Sequence, residues 1–145
     1  YTFISDSLAV RKRNFTSNTD GFLSSGDYIY ELEKGPISNM LIKINDTETE
    51  SLLSKKLLLK VLVDKNNEIF FTNGSFIVYF TEDLNVDEFS SLNGLLVKRV
   101  FPSINAAVLT ANDLTNLDGI LLNLRDNQYV KNASFEIIDP RIIPD

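Results

Sequence analysis

The succession of apolar runs and breaks between Ser75 and Ile138 constrains this chain more than any other feature. SFIVYFT (75–81) is β-branched and aromatic, as strands are. NVDEFSSLNG (85–94) reads as a short helix. Asn85 can cap it, Glu88 completes a capping box, Val86, Phe89 and Leu92 share a face, and Gly94 marks the stop. LLVKRVF (95–101) is a second strand, broken by Pro102-Ser103, and INAAVLT (104–110) is a third. A longer helix follows, opened by Asn112 or Asp113, with Leu114, Leu117, Leu121 and Leu124 at helical spacing. After a turn at Asp126-Asn127, YVKNASFEII (129–138) is a fourth strand, so the order is β-α-β-β-α-β.

With right-handed crossovers this order gives an α+β, ferredoxin-like antiparallel sheet, strand order 4-1-3-2, with two helices on one face. The polarity agrees. Phe76, Val78 and Phe80 alternate with Ile77 and Tyr79, so the first strand is apolar on both sides, while Lys98, Arg99, Lys131 and Glu136 fall on the outer strands. Two helices cover one face only, which leaves an apolar patch expected at Ile77, Tyr79, Ala107 and Leu109. Either the upstream half of the chain or a partner protein must cover it.

Residues 1–74 read as an irregular Ser-, Thr- and Asn-rich arm to position 26, then a β-rich module. Strand candidates are DYIYELE (27–33), NMLIKIN (39–45), KLLLKVLVD (56–64) and EIFFT (68–72), although ETESLLSKKLLLKVL can instead open as a helix. Asn73-Gly74 is a strong hairpin signal, yet the strand after it already has two neighbours in a 4-1-3-2 sheet. We therefore expect 68–72 to pair at an end of that strand or to join the upstream sheet.

The 145-residue chain has no histidine and no cysteine, which removes the Ser-His-Asp triad, the thiol nucleophile, the disulfide and the usual zinc ligand sets. No cofactor or metal site is expected. The net charge of −6 argues against nucleic acid and anionic membrane as partners, and the lone basic run Arg11-Lys12-Arg13 reads as a solvated or interface turn. Asp83, Asp87 and Glu88 read as acids complementing a helix N-terminus. No run reaches the length of a membrane helix.

The stretch from Ser75 to about Asp139 resembles the inhibitor-type propeptide of subtilisin-like serine proteases, through FIVYFTED, the capped helix, LLVKRVFPSINAAVLTA, the leucine-bearing helix and NQYVKNASFEIIDP. The resemblance implies a non-catalytic, secreted or cell-surface pro-region that serves as intramolecular chaperone and autoinhibitor of its own protease domain. Ile77, Tyr79, Ala107, Leu109 and Glu136 would form the docking sheet face. Residues 140–145 (Pro140, Arg141, Ile142, Ile143, Pro144, Asp145) would run through the protease cleft as an extended tail. The alternative is a stand-alone, two-module protein-binding or surface protein without a protease partner.

Overall fold

Strand structure begins earlier than the polar composition of the first 26 residues implies. In the computed structural model, which describes residues 1–14, 22–42 and 57–141, strand β1 is Thr2–Arg11. Leu8–Val10 alternate between two apolar surfaces there, and the polar middle is absorbed by a register shift between Phe3 and Leu8. Ser7 is buried, with its hydroxyl donating to the Leu32 carbonyl at 2.7 Å. Over Thr2–Arg11 the irregular arm expected up to residue 26 is thus a strand, and the Ser7 hydroxyl finds an internal acceptor. The chain forms two units, Tyr1–Thr72 with Ile137–Asp145, and Asn73–Glu136.

The first unit is an antiparallel sheet of β1, β2 (Leu23–Ser25), β3 (Tyr28–Tyr30), β4 (Leu59–Val63) and β5 (Ile69–Thr72), in the order β2-β3-β1-β4-β5. Ala9, Tyr28, Leu59, Val61 and Phe71 are buried together, with Ile4, Tyr30, Ile69 and Ile138 packed against them. The rings of Tyr28 and Phe71 lie 5.0 Å apart although β1 and β4 separate their strands, so the sheet curls over this cluster. Ile138 closes it, pairing with Phe71 through reciprocal backbone hydrogen bonds of 3.0 and 2.7 Å. The run 68–72 therefore belongs to the upstream sheet, the second of the two placements expected for it.

The expected strand at 39–45 is instead helix α1, Pro36–Ile42, as far as the described residues reach. Pro36 is pre-set for a first helical position. The decisive residue is Glu31, at the point where the expected strand 27–33 gives out. Its buried carboxylate accepts from the backbone N–H groups of Gly35, Ile37 and Ser38 at 3.1, 3.0 and 3.2 Å, and from the Ser38 hydroxyl. Those donors have no partner within the helix, so the carboxylate fixes where it starts. The suggested helical start within 48–62 falls on 48–56, outside the described residues.

The second unit contains β6 (Ser75–Phe80), α2 (Val86–Leu92), β7 (Leu95–Phe101), β8 (Ala106–Ala111), α3 (Leu117–Asp126) and β9 (Val130–Phe135). The antiparallel sheet runs β7-β8-β6-β9, which is the expected order of the four strands. Asn85 caps α2 by accepting from the Glu88 N–H at 3.0 Å, and Phe89 meets Phe80 edge to face at 5.0 Å. Leu92, expected on the buried face, is 81% exposed because α2 ends there and Gly94 turns the chain at φ 69°. The second helix starts at Leu117 rather than near Asn112. Asp113 takes the Thr115 N–H and hydroxyl into a local turn, and Asn116 adopts a left-handed conformation before the helix.

Register corrects the expected open face. Phe76 pairs with Leu109 and Val78 with Ala107, and directly opposed residues share a face, so Ala107 and Leu109 lie with the buried set facing the helices. Ile77 pairs with Val108 and Tyr79 with Ala106 on the other face. The expectation assigned β8 the wrong phase, and a one-residue slip moves every side chain across the sheet. On the helix side, Ala133, Val78, Ala107 and Val100 form one row across the sheet. The two buried alanines keep that row low between Phe76 and Phe80. The small residues at 106–107 thus have an internal use, with Ala107 under the helix layer.

Candidate functional site

One corner of the second unit is built by two segments distant in sequence. Strand β6 ends at Phe80 and passes through Thr81–Asn85 into α2. Strand β7 ends at Phe101 and passes through a 3-10 turn, Pro102–Ile104, into β8. Asn105 adopts a left-handed conformation (φ 49°), its N–H donates to the Pro102 carbonyl at 3.3 Å, and its own carbonyl accepts from the Phe80 N–H at 2.7 Å. That last bond ties the two segments together.

Between them lies a cavity of about 220 Å³. Phe80, Leu84, Val86, Val100, Pro102 and Ala106 supply its apolar lining. Ala106 is buried. Glu82, Asp83 and Asp87 stand on the same wall, all three exposed. Among the described residues no cation pairs with these carboxylates. The cations nearest in sequence on β7 are committed elsewhere. A register shift between Val97 and Arg99 lets both Lys98 and Arg99 reach Glu136, at 2.9 and 3.0 Å, across the face that carries Ile77 and Val108. Ions this exposed add little to stability; their consequence is to leave the acidic wall without a counter-charge. Val100 in the lining is 43% exposed, and Ile104 on the adjoining turn is 57% exposed.

Of the residues expected to dock a protease, Ile77, Tyr79 and Glu136 do share one face, on which Ala106 and Val108 are nonetheless buried, whereas Ala107 and Leu109 lie on the other. Nor are residues 137–141 a free tail. They belong to the first unit, where Pro140 is buried and its carbonyl oxygen sits against Gly26, which takes φ 55° in the β2–β3 turn. Arg141 pairs with Asp139 at 2.8 Å and Glu68 at 2.9 Å, and its guanidinium lies 5.4 Å from the centre of the Phe70 ring. The hydrogen bonds from Arg141, and then its charge, hold the Asp139 carboxyl below the usual carboxylate range despite slight burial, and in turn raise the guanidinium. Ile142, Ile143, Pro144 and Asp145 lie outside the described residues. The acids at 83 and 87, read from sequence as a helix-dipole complement, also line the cavity. The missing signal was the 102–105 turn that brings Val100 and Ala106 opposite them.

A family model described as "Open reading frame 2 N-terminal domain" matches residues 10–144. The chain belongs to that family. Membership replaces the propeptide resemblance. The match runs through strands of both units, whereas the resemblance began only at Ser75 and left the first 70 or so residues without a counterpart. The readings as pro-region, intramolecular chaperone, protease inhibitor and zymogen segment fall with it, and the protease partner and secreted location lose the ground on which they were expected. No curated protein and no solved structure matches the chain.

Proposed function

We propose that this domain of the open reading frame 2 family is a non-catalytic protein-binding module, and that its second unit is a ferredoxin-like βαββαβ fold presenting the 81–87 and 100–106 corner to a polypeptide. The strand order and the two helices, which fall between strands as that fold requires, support the topology. One observation carries the binding role: an apolar-lined cavity has exposed Val100 in its lining and lies at the turn that carries exposed Ile104, so anchor pocket and contact surface adjoin. A catalytic role has less support, because the chain lacks histidine and cysteine and the cavity's ionisable groups are three exposed carboxylates.

The test is selection of peptides from a random display library against the folded chain, followed by mapping of each selected peptide on the amide spectrum of labelled protein. Peptides that perturb residues 82–87 and 100–106, and lose binding to Ile104→Asp, are the expected result. Selected peptides that all map outside the second unit, or a library that yields no binder, would sink the proposal.

A further inference from the structure

We infer that the cavity beside α2 receives one basic side chain, lysine or arginine, of the polypeptide partner. This inference rests on the binding role proposed above and adds the chemistry of the anchor. Three features of the corner agree on it.

The first is size. A space of about 220 Å³ is below the range of roughly 300–1,000 Å³ that holds whole small-molecule ligands, and suits a single long side chain. The second is the division of the lining. Lys and Arg carry an apolar stem and a charged head. Phe80, Leu84, Val86, Val100, Pro102 and Ala106 offer apolar contact for the stem, and Glu82, Asp83 and Asp87 offer carboxylates for the head. A purely apolar anchor would leave those acids to be desolvated by the partner without compensation, which costs affinity.

The third feature is the missing counter-charge. This chain places Lys98 and Arg99 on the adjoining strand but ties both to Glu136, so neither of these two cations neutralises the acidic wall. The whole chain carries −6, and its field favours the approach of a basic segment. Exposed Val100 and Ile104 then give the residues flanking the basic side chain something to pack on, which a free amine would not use.

The experiment titrates the labelled full chain with a blocked pentapeptide, acetyl-Ala-Ala-Arg-Ala-Ala-amide. Its partner probe has citrulline in place of arginine, which keeps the shape and removes the charge. Agmatine, the arginine head and stem without a peptide, is the third probe. The arginine peptide is expected to shift the amides of 82–87 and 105–106 at concentrations up to about 10 mM, the weak end of measurable binding, and to bind less tightly as salt rises. The citrulline peptide is expected to bind about tenfold more weakly, a difference of roughly 1.4 kcal/mol. That preference should vanish in E82Q/D83N/D87N, whose substitutions lie on exposed side chains. Equal binding of the arginine and citrulline peptides at this corner would overturn the basic anchor while leaving the protein-binding role in place. Absence of any shift at the corner with the arginine peptide would overturn the inference outright. Agmatine binding as tightly as the peptide would assign the cavity to a free amine instead of a polypeptide.

Discussion

The two units differ in how they are closed. The second is one uninterrupted stretch, Asn73–Glu136, in which the four strands and two helices come from consecutive sequence. The first takes its final strand partner from the far end of the chain, so that Ile138 pairs with Phe71 only after the whole second unit has been traversed. A unit assembled from neighbouring elements can gain its contacts as the chain forms them. One that waits for a distant segment must first close a long loop, whose entropic cost grows slowly with length. Damage to one unit is therefore expected to be felt in that unit first.

The largest expected effect is at Glu31. Replacing it by Ala removes the buried acceptor of three backbone N–H groups and a hydroxyl. We expect a loss of roughly 3 kcal/mol, since buried donors left without partners cost about 1–3 kcal/mol each and some of these will recover water. Amide hydrogen exchange should show Val10, Ile29 and Val61 losing protection while Val78 and Leu109 keep theirs. Equal losses in both units would show that they unfold together whatever their closure.

A converse variant is Ala107→Leu. The side chain is fully buried in the row shared with Val78 and Ala133, under the helices. Overpacking a dense layer costs about 1–3 kcal/mol. The loss should appear at β6 and β8 and spare β4. If Ala107→Leu is neutral while Ala106→Leu is destabilising, the register assignment is wrong.

This contrast also explains what could be read in advance. Strands at 75–80 and 95–101 and the Asn85 cap followed from periodicity and turn chemistry, which act locally, and the strand order followed from the βαββαβ succession with right-handed crossovers. The side-chain phase of β8 did not, since Ala106-Ala107-Val108-Leu109 is apolar at every position and gives alternation nothing to act on. In the first unit the same limit was more severe. Glu31 looks like one charge in an alternating strand, and its identity as a buried cap depends on Gly35, Ile37 and Ser38 folding back onto it. The cavity was illegible for a similar reason. Glu82, Asp83 and Asp87 are visible acids, but the wall opposite them is created by Asn105 turning left-handed.

The seam of the first unit gives a smaller effect. Gly26→Ala forces φ 55° on a residue with a Cβ, at a cost of about 1–2 kcal/mol, and points that Cβ at the Pro140 carbonyl. The expected result is early loss of protection at the Ile138 and Phe71 amides, ahead of Val61. Unchanged exchange at Ile138 would mean that the return of 137–141 does not depend on this approach.

The smallest effect is a titration. Arg141 hydrogen-bonds the Asp139 carboxylate and pulls its pKa below the ordinary value near 3.9, so the folded state binds the proton less readily than the unfolded chain. With that sign, the contribution is complete above about pH 4 and is lost as pH falls through the lowered folded pKa. The fastening of 139–141 is therefore expected to be constant across neutral pH and to loosen only in acid. Both groups are open to solvent, so the global stability change should be slight and the informative reading is local. Carboxyl chemical shifts followed against pH should place the Asp139 midpoint below that of an ordinary aspartate, and Arg141→Gln, which removes the guanidinium but keeps the backbone N–H donor of residue 141, should raise it part of the way back. A parent midpoint already at 3.9 would mean that the Arg141 contacts do not persist in solution. The return strand would then be held by Ile138 and Pro140 alone, making the closure of the first unit a matter of backbone pairing and packing rather than charge.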